Sequence, residues 1–226
     1  MKFKYALFDL DGTLLESAPG ILRCIKETLD NNHIKYNPED LWKMIGPPFR
    51  VSMVKYCGMT IEESEQFIVE YRQRYNDYGW KMSNPYKGIE ELLINLKKNG
   101  VILATATSKP EKFTLKMLEY HGLIKYFDVV GAALNDKTRE TKKDVVNWTL
   151  EQLGVKDKSE AIMIGDRLYD IEGARECGLD TIAVLWGYGS REEFEEYKAK
   201  YILETTEEVE HLIIYWYFSR ILKHIL

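Results

Sequence analysis

The chain has 226 residues, 45% of them hydrophobic and 30% charged, with a formal net charge of −5 and a pI near 5.6. That length can bury a sizeable core, as one large domain or one domain carrying an insertion, and the acidic balance argues against a nucleic-acid binder, which would show a basic stripe. Cys24, Cys57 and Cys177 are odd in number and far apart. They fit neither a disulfide framework nor a zinc site, and predict buried free thiols in a reducing compartment.

Taken in chain order, the apolar run over residues 3–8 predicts a first strand ending in Asp9-Leu10-Asp11-Gly12-Thr13. Lys2 and Lys4 interrupt that run and no secretory apolar segment follows, so a cytoplasmic location is expected. Residues 21–31 have helical spacing. Helical stretches without strand character follow at 38–45, 49–57 and 61–78, broken by the turn Gly46-Pro47-Pro48. From Lys87 the texture changes. Helices are predicted over 89–99, 112–121, 143–153 and 171–177, alternating with strands over 101–106, 127–131, 161–164 and 181–185. Such alternation implies a parallel sheet covered on both faces. The expected fold class is α/β, a doubly wound, Rossmann-like parallel sheet with a helical cap inserted after the first strand. The core comprises residues 1–16 and 85–226, the insertion residues 17–84. Ligands bind such sheets at the C-terminal ends of the strands.

Four candidate sites sit at predicted strand ends or helix starts. In an extended segment the side chains of Asp9 and Asp11 point the same way. They can address one reacting centre as nucleophile and acid/base, or join an oxygen-rich Mg²⁺ site. Asp11-Gly12 is also a hairpin-turn signal. Next, a strand runs into Thr107-Ser108 and a helix start, which suits a phosphate cradle or plain N-capping. Lys142-Lys143 then opens a helix, where cations are unfavourable unless something anionic faces them. Finally, Asp166 and Asp170 in Ile164-Gly165-Asp166-Arg167-Leu168-Tyr169-Asp170 could cap a helix or hold a cation.

Together, Asp9/Asp11, Thr107, Lys142 and Asp166/Asp170 resemble, in order, the four motifs of the haloacid dehalogenase-like hydrolase superfamily. The resemblance runs to about residue 212 and is most specific in Asp9-Leu10-Asp11-Gly12-Thr13 and in residues 164–170. Residues 45–48, 71–79 and 165–190 resemble its phosphoglycolate phosphatase-like branch, some of whose members are 5′-nucleotidases. The resemblance implies a Mg²⁺-dependent phosphomonoester hydrolase working through an aspartyl-phosphate on a small phosphorylated metabolite. Asp9 would be the nucleophile and Asp11 the acid/base. Asp9, the Asp11 main-chain carbonyl and Asp166 would hold Mg²⁺, with Asp170 supporting it. Thr107 and Lys142 would engage the phosphoryl group, with Gly12, Thr13 and Ser108 as further contacts. Relatives often carry Lys-Pro where this chain has Lys142-Lys143, so either lysine could serve; the Lys-x-Asp-Val spacing favours Lys142. Pro85-Tyr86-Lys87-Gly88 likewise departs from the usual Tyr-Pro-Gly.

The insertion would be a cap that closes over the site and selects the leaving group. Gly46-Pro47-Pro48, Arg50, Arg72 and Tyr75 are its substrate-facing candidates, although Arg72 could instead pair with Glu70 or Asp77. Rival expectations are a β-phosphoglucomutase-like phosphotransferase and a binding protein without catalysis. A dehalogenase would not need Asp11. At the C-terminus, residues 212–218 are apolar at every position, which predicts a helix apolar nearly all round but too short to span a bilayer. Residues 212–216 are expected on the core, and residues 217–226 against a second chain or a membrane surface. A monomer or homodimer without nucleic-acid partners is expected.

Overall fold

The computed structural model describes residues 2–46, 49–134 and 138–222, with side chains as far as Tyr215. In chain order the elements are β1 (Tyr5–Phe8), β2 (Leu15–Glu16), α1 (Ala18–Asn31), α2 (Phe49–Cys57), α3 (Ile61–Asp77), β3 (Asn84–Pro85), α4 (Ile89–Lys98), β4 (Ile102–Pro110) and α5 (Glu111–Tyr120). They continue with β5 (Val129–Ala133), α6 (Lys142–Gln152), β6 (Ala161–Gly165), α7 (Leu168–Glu176), β7 (Asp180–Val184), α8 (Arg191–Glu196), β8 (Tyr201–Leu203) and α9 (Thr206–Leu222). The chain divides into two compact units, Met1–Glu16 with Pro85–Leu226, and Ser17–Asn84.

The larger unit is built on a six-stranded sheet in the order β5-β4-β1-β6-β7-β8, with every described pairing parallel. From β1 the chain winds outward through β4 and β5, then returns to the other side of β1 for β6, β7 and β8. This is the doubly wound topology that the alternating pattern predicts, with its switch point at β1. β1 is buried along its whole length, as a central parallel strand covered on both faces must be. Tyr5 and Leu7 share one face by the two-residue period and pack with Ala104, Ala106, Met163, Val145 and Val146. Phe8, on the other face, meets the Phe127 ring edge-on at 6.4 Å between centroids.

The smaller unit is helical. Between α1 and α2 lies a 3₁₀ helix over Pro38–Met44, where the sequence pattern predicts a helical stretch over 38–45. Thr60 and Glu63 close a capping box at the start of α3. Phe49 packs on Tyr71 and Tyr71 stacks on Tyr75, with ring centroids 4.3 and 5.7 Å apart.

Several elements differ from the sequence expectation. Strand β5 begins two residues later than expected and α7 three residues earlier, while α8 and β8 lie in a stretch without predicted structure. β8 is a three-residue, half-buried edge strand, too short to show an alternating pattern. Cys24 and Cys177 are buried free thiols as predicted, whereas Cys57 is only half-buried. The final helix starts at Thr206 and buries Val209 and Ile213. Side chains from residue 216 and all of residues 223–226 lie outside the described residues, and with them the expected contact surface over 217–226. Among the described residues no helix is long and apolar enough to cross a membrane.

Candidate active site

Strand register sets the site. Phe8 lies level with Thr105 of β4 on one side and Ile164 of β6 on the other. One residue further, Asp9 emerges beside Ala106 and Gly165, and its N–H donates to the Ile164 carbonyl at 2.9 Å. Thr107 and Asp166 follow on the flanking strands. β1 and β6 thus end together at the switch point, where open α/β sheets bind ligands, with β4 running on beside them to Pro110.

Asp166 is the most enclosed acid of the group. Its Oδ1 accepts from Thr13 Oγ1 at 2.9 Å and its Oδ2 from the Tyr188 N–H at 2.9 Å. Two glycines make room for it. Gly12 has φ +84°, and a Cβ there would lie 2.1 Å from Asp166 Oδ2. A Cβ on Gly187 would lie 2.3 Å from Asp166 Cβ and 2.4 Å from the Gly12 carbonyl oxygen. Trp186 Nε1 donates to the Thr13 carbonyl at 3.0 Å, tying the loop after β7 to the loop after β1. Because the Gly12 oxygen belongs to the backbone, it cannot turn aside as a flexible side chain could. Gly187→Ala is therefore expected to cost about 1–3 kcal/mol of stability through overpacking. Urea denaturation reads the effect; an unchanged midpoint would show that the loop yields.

Lys142 opens α6, and three oxygens surround its ammonium. It donates to Asp9 Oδ1 at 2.8 Å and to the Ala106 carbonyl at 2.9 Å, and stands 2.7 Å from Asp170 Oδ1. Burial works against the charge on Lys142, but Asp170 and Asp9 outweigh it and hold its pKa above the ordinary lysine value. Lys143 points away and pairs with Glu176 at 3.3 Å, half-exposed. Asp170 Oδ2 accepts from the N–H groups of Asp166 at 3.2 Å and Arg167 at 3.0 Å, so it caps the loop leading into α7. Burial, offset in part by Lys142, pushes Asp170 up to about 6. Burial and the charges of Asp170 and Asp9 push Asp166 well above the usual carboxylate range.

The donor set fits a hard divalent cation. Asp9, Asp166 and Asp170 bring carboxylate oxygens within 4.8 Å of one another. Asp170 Oδ1, sealed from solvent, accepts no well-aligned hydrogen bond among the described residues. The raised pKa values express the cost of gathering these charges, and an oxygen-loving cation such as Mg²⁺ would relieve it. The Asp11 carboxylate stands outside this trio.

Asp11 is instead gripped by Lys109, a residue that the motif spacing does not single out. Lys109 Nζ donates to both Asp11 oxygens, at 3.0 and 2.8 Å, and its side chain is only 6% exposed. A lysine at the end of an otherwise apolar strand, directly after a Thr-Ser pair, is the sequence signal that could have marked it. The Tyr188 N–H and Gly187 leave a fainter signal, a Gly-Tyr-Gly run after the last predicted strand.

The helix start expected at Thr107-Ser108 is corrected. Thr107 and Ser108 do not open a helix: β4 continues through Pro110 and α5 starts at Glu111 without a side-chain cap. Thr107 is buried and its Oγ1 accepts from the Lys109 N–H at 3.2 Å, while Ser108 is exposed. Thr13 is wholly buried with its hydroxyl bonded to Asp166, so its side chain holds the acid rather than a substrate. Gly12 likewise serves the approach of Asp166. In the helical unit Tyr75 is buried in the aromatic stack. Arg50 pairs with Glu65 on an exposed face. Arg72 is exposed, and Glu70 pairs with Arg74. Pro47 and Pro48 lie outside the described residues.

A doubly wound α/β core with buried carboxylates and lysines at its switch point defines the class of protein. The chain belongs to the haloacid dehalogenase-like hydrolase family, whose model matches residues 6–184. Tyrosine-protein kinase PtkA of Mycobacterium tuberculosis is 38% identical over 184 residues, covering 81% of this chain and 62% of that protein. This chain therefore spans less than two thirds of that relative. A 5′-nucleotidase of Pseudomonas aeruginosa is 31% identical over 196 residues, 85% of this chain and 87% of that one. The crystal structure of a predicted phosphatase from Clostridium acetobutylicum matches with a TM-score of 0.87 at 38% identity, covering 94% of this chain and 99% of the other.

Proposed function

We propose that this chain is a Mg²⁺-dependent phosphomonoester hydrolase that forms an aspartyl-phosphate at Asp9. The observation that carries this reading is the Lys142 ammonium placed between Asp9 and Asp170 at the strand ends. A carboxylate can attack an anionic phosphoryl group only where positive charge offsets their repulsion. Lys142 supplies one such charge, and Mg²⁺, when bound by Asp9, Asp166 and the Asp11 carbonyl, supplies two more and draws charge from the phosphoryl oxygens.

The step sequence then follows from the chain's own groups. An Asp9 oxygen bonds to phosphorus as the bond to the leaving oxygen breaks, and Asp11 gives that oxygen a proton. Asp11 then takes a proton from water as the water oxygen bonds to phosphorus. The bond to Asp9 breaks, releasing inorganic phosphate and restoring the free carboxylate. Thr107 can direct its hydroxyl proton to a phosphoryl oxygen.

The substrate is a small phosphorylated metabolite, phosphoglycolate in the first reading; the 5′-nucleotidase relative supports nucleoside monophosphates as the alternative. Arg50 and Arg72 are the helical insertion's candidate contacts to the leaving group. The relative named a tyrosine-protein kinase supports a second reading, in which a protein hydroxyl replaces water as acceptor. Steady-state kcat/KM for phosphoglycolate, nucleoside monophosphates and sugar phosphates tests the first reading. Activity is expected with Mg²⁺, and loss with chelator. Ca²⁺ is expected to inhibit, since its longer and more numerous bonds misplace the nucleophile. Full activity in chelator would overturn the metal assignment. Phosphate transferred to protein without release of inorganic phosphate would favour the kinase-like reading.

A further inference from the structure

Two lysines serve the carboxylates at the strand ends, and they divide the work. Lys142 is occupied by Asp9, Asp170 and the Ala106 carbonyl. Asp11 has its own cation in Lys109, which reaches both carboxylate oxygens across 98 residues of sequence. Lys109 is itself held in place. Its N–H donates to Thr107 Oγ1, and its carbonyl lies 3.4 Å from the Thr114 hydroxyl, which also donates to the Pro110 carbonyl at 3.2 Å. The β4–β5 register breaks between Thr107 and Pro110, and this irregular turn carries Lys109 inward while Ser108 stays exposed. A β-strand irregularity that re-aims one side chain is a built feature of the backbone.

We infer that Lys109 is a positioning residue for Asp11: its two-point grip on the carboxylate keeps Asp11 aimed at the leaving oxygen. This rests on the proposed hydrolase reading, in which Asp11 is the acid/base. The physical reason is the charge around it. Without Lys109, Asp11 would be a fourth carboxylate beside Asp9, Asp166 and Asp170, with the positive charge that grips it removed. Like-charge repulsion would then turn its side chain, only partly buried, outward to water. A general acid displaced by about 1 Å can lose about 100-fold in rate.

The experiment compares wild type, Lys109→Gln and Lys109→Arg, all with Mg²⁺, on phenyl phosphate and 4-nitrophenyl phosphate. The two esters are similar in shape, but phenolate needs a proton to leave far more than nitrophenolate does. First-turnover release of each phenol is read by rapid mixing, with KM from the steady state. Lys109→Gln is expected to slow phenol release about 100-fold and nitrophenol release less than about tenfold, with KM nearly unchanged. Lys109→Arg is expected to recover most of the phenol rate, because a guanidinium fork also grips both carboxylate oxygens. Equal losses on both esters, or an Arg variant as impaired as the Gln variant, would overturn the inference and leave Lys109 a structural ion pair. A wild type inactive on both esters would instead overturn the hydrolase reading, and this inference with it.

Discussion

Asp9→Asn is expected to abolish turnover, lowering kcat by about 10⁴-fold or more, while the metal-free protein melts no lower than wild type. The kinetic half follows from the role proposed for Asp9: an amide oxygen cannot form an aspartyl-phosphate, and loss of a covalent nucleophile is among the largest single-residue effects in catalysis. The stability half follows from the charges. Fully ionised, Asp9, Asp11, Asp166 and Asp170 exceed Lys109 and Lys142 by two negative charges. The charge of Asp9 is one of the causes that raise both Asp166 and Asp170. Removing it lowers the repulsion within the cluster, and an Asn Oδ1 can still accept from Lys142. Rate assays and thermal melts in chelator measure the two halves. Turnover within tenfold of wild type would remove Asp9 as the nucleophile. A marked fall in melting temperature would show that the Asp9–Lys142 pair outweighs the repulsion.

Lys142→Met is expected to fail in both respects. It removes the cation beside the nucleophile, and it leaves Asp9 and Asp170 facing each other without compensation. Breaking a buried pair by deleting one partner costs about 3–5 kcal/mol. The loss is expected to depend on pH. Burial pushes Asp170 up to about 6, even with Lys142 holding it down. A carboxyl whose pKa rises on folding contributes most stability while protonated, and loses that contribution as pH climbs through the folded value. At pH 5 Asp170 is largely neutral in both proteins, so its attraction to Lys142 is small and the variant loses less. At pH 8 wild type holds an ionised, paired Asp170, while the variant must either bury that carboxylate without its cation or keep it protonated against the solvent pH, and both cost stability. The gap in unfolding free energy in chelator should therefore widen from pH 5 to pH 8, and Mg²⁺ should narrow it by replacing part of the missing charge. A gap independent of pH would show that Lys142 stabilises the fold by packing alone.

The sheet was legible because its signal is local: apolar strands alternating with amphipathic helices leave few arrangements other than a doubly wound fold. The short edge strand β8 and helix α8 were not, because three and six residues carry too little pattern. Thr107 and Ser108 suggested a helix start because hydroxyls favour caps. β4 instead runs on through Pro110 in pairing with β5, so neither hydroxyl caps α5, which starts at Glu111, one residue before the expected position.

Of the site, the sequence by itself supplied most of the candidates and their order. The acids of Asp9-Leu10-Asp11-Gly12-Thr13, the Thr107 segment, the Lys142-Lys143 pair and the Asp166/Asp170 pair each fall at a predicted strand end or helix start, a feature of adjacent residues. Tertiary structure decided which of them meet. Asp9 and Lys142 are 133 positions apart and Asp11 and Lys109 are 98 apart, so strand register and helix phase, rather than spacing, bring them together. Lys142 and Lys143 are equivalent in composition. Successive residues point about 100° apart around a helix, so packing of α6 on the sheet turns Lys142 toward Asp9 and sends Lys143 to Glu176. Thr13 looked like a substrate contact until the close approach of Asp166 claimed its hydroxyl. Lys109 was hidden for the same reason: a lysine is ordinary in sequence, and only the tertiary packing gives it a partly buried carboxylate to hold.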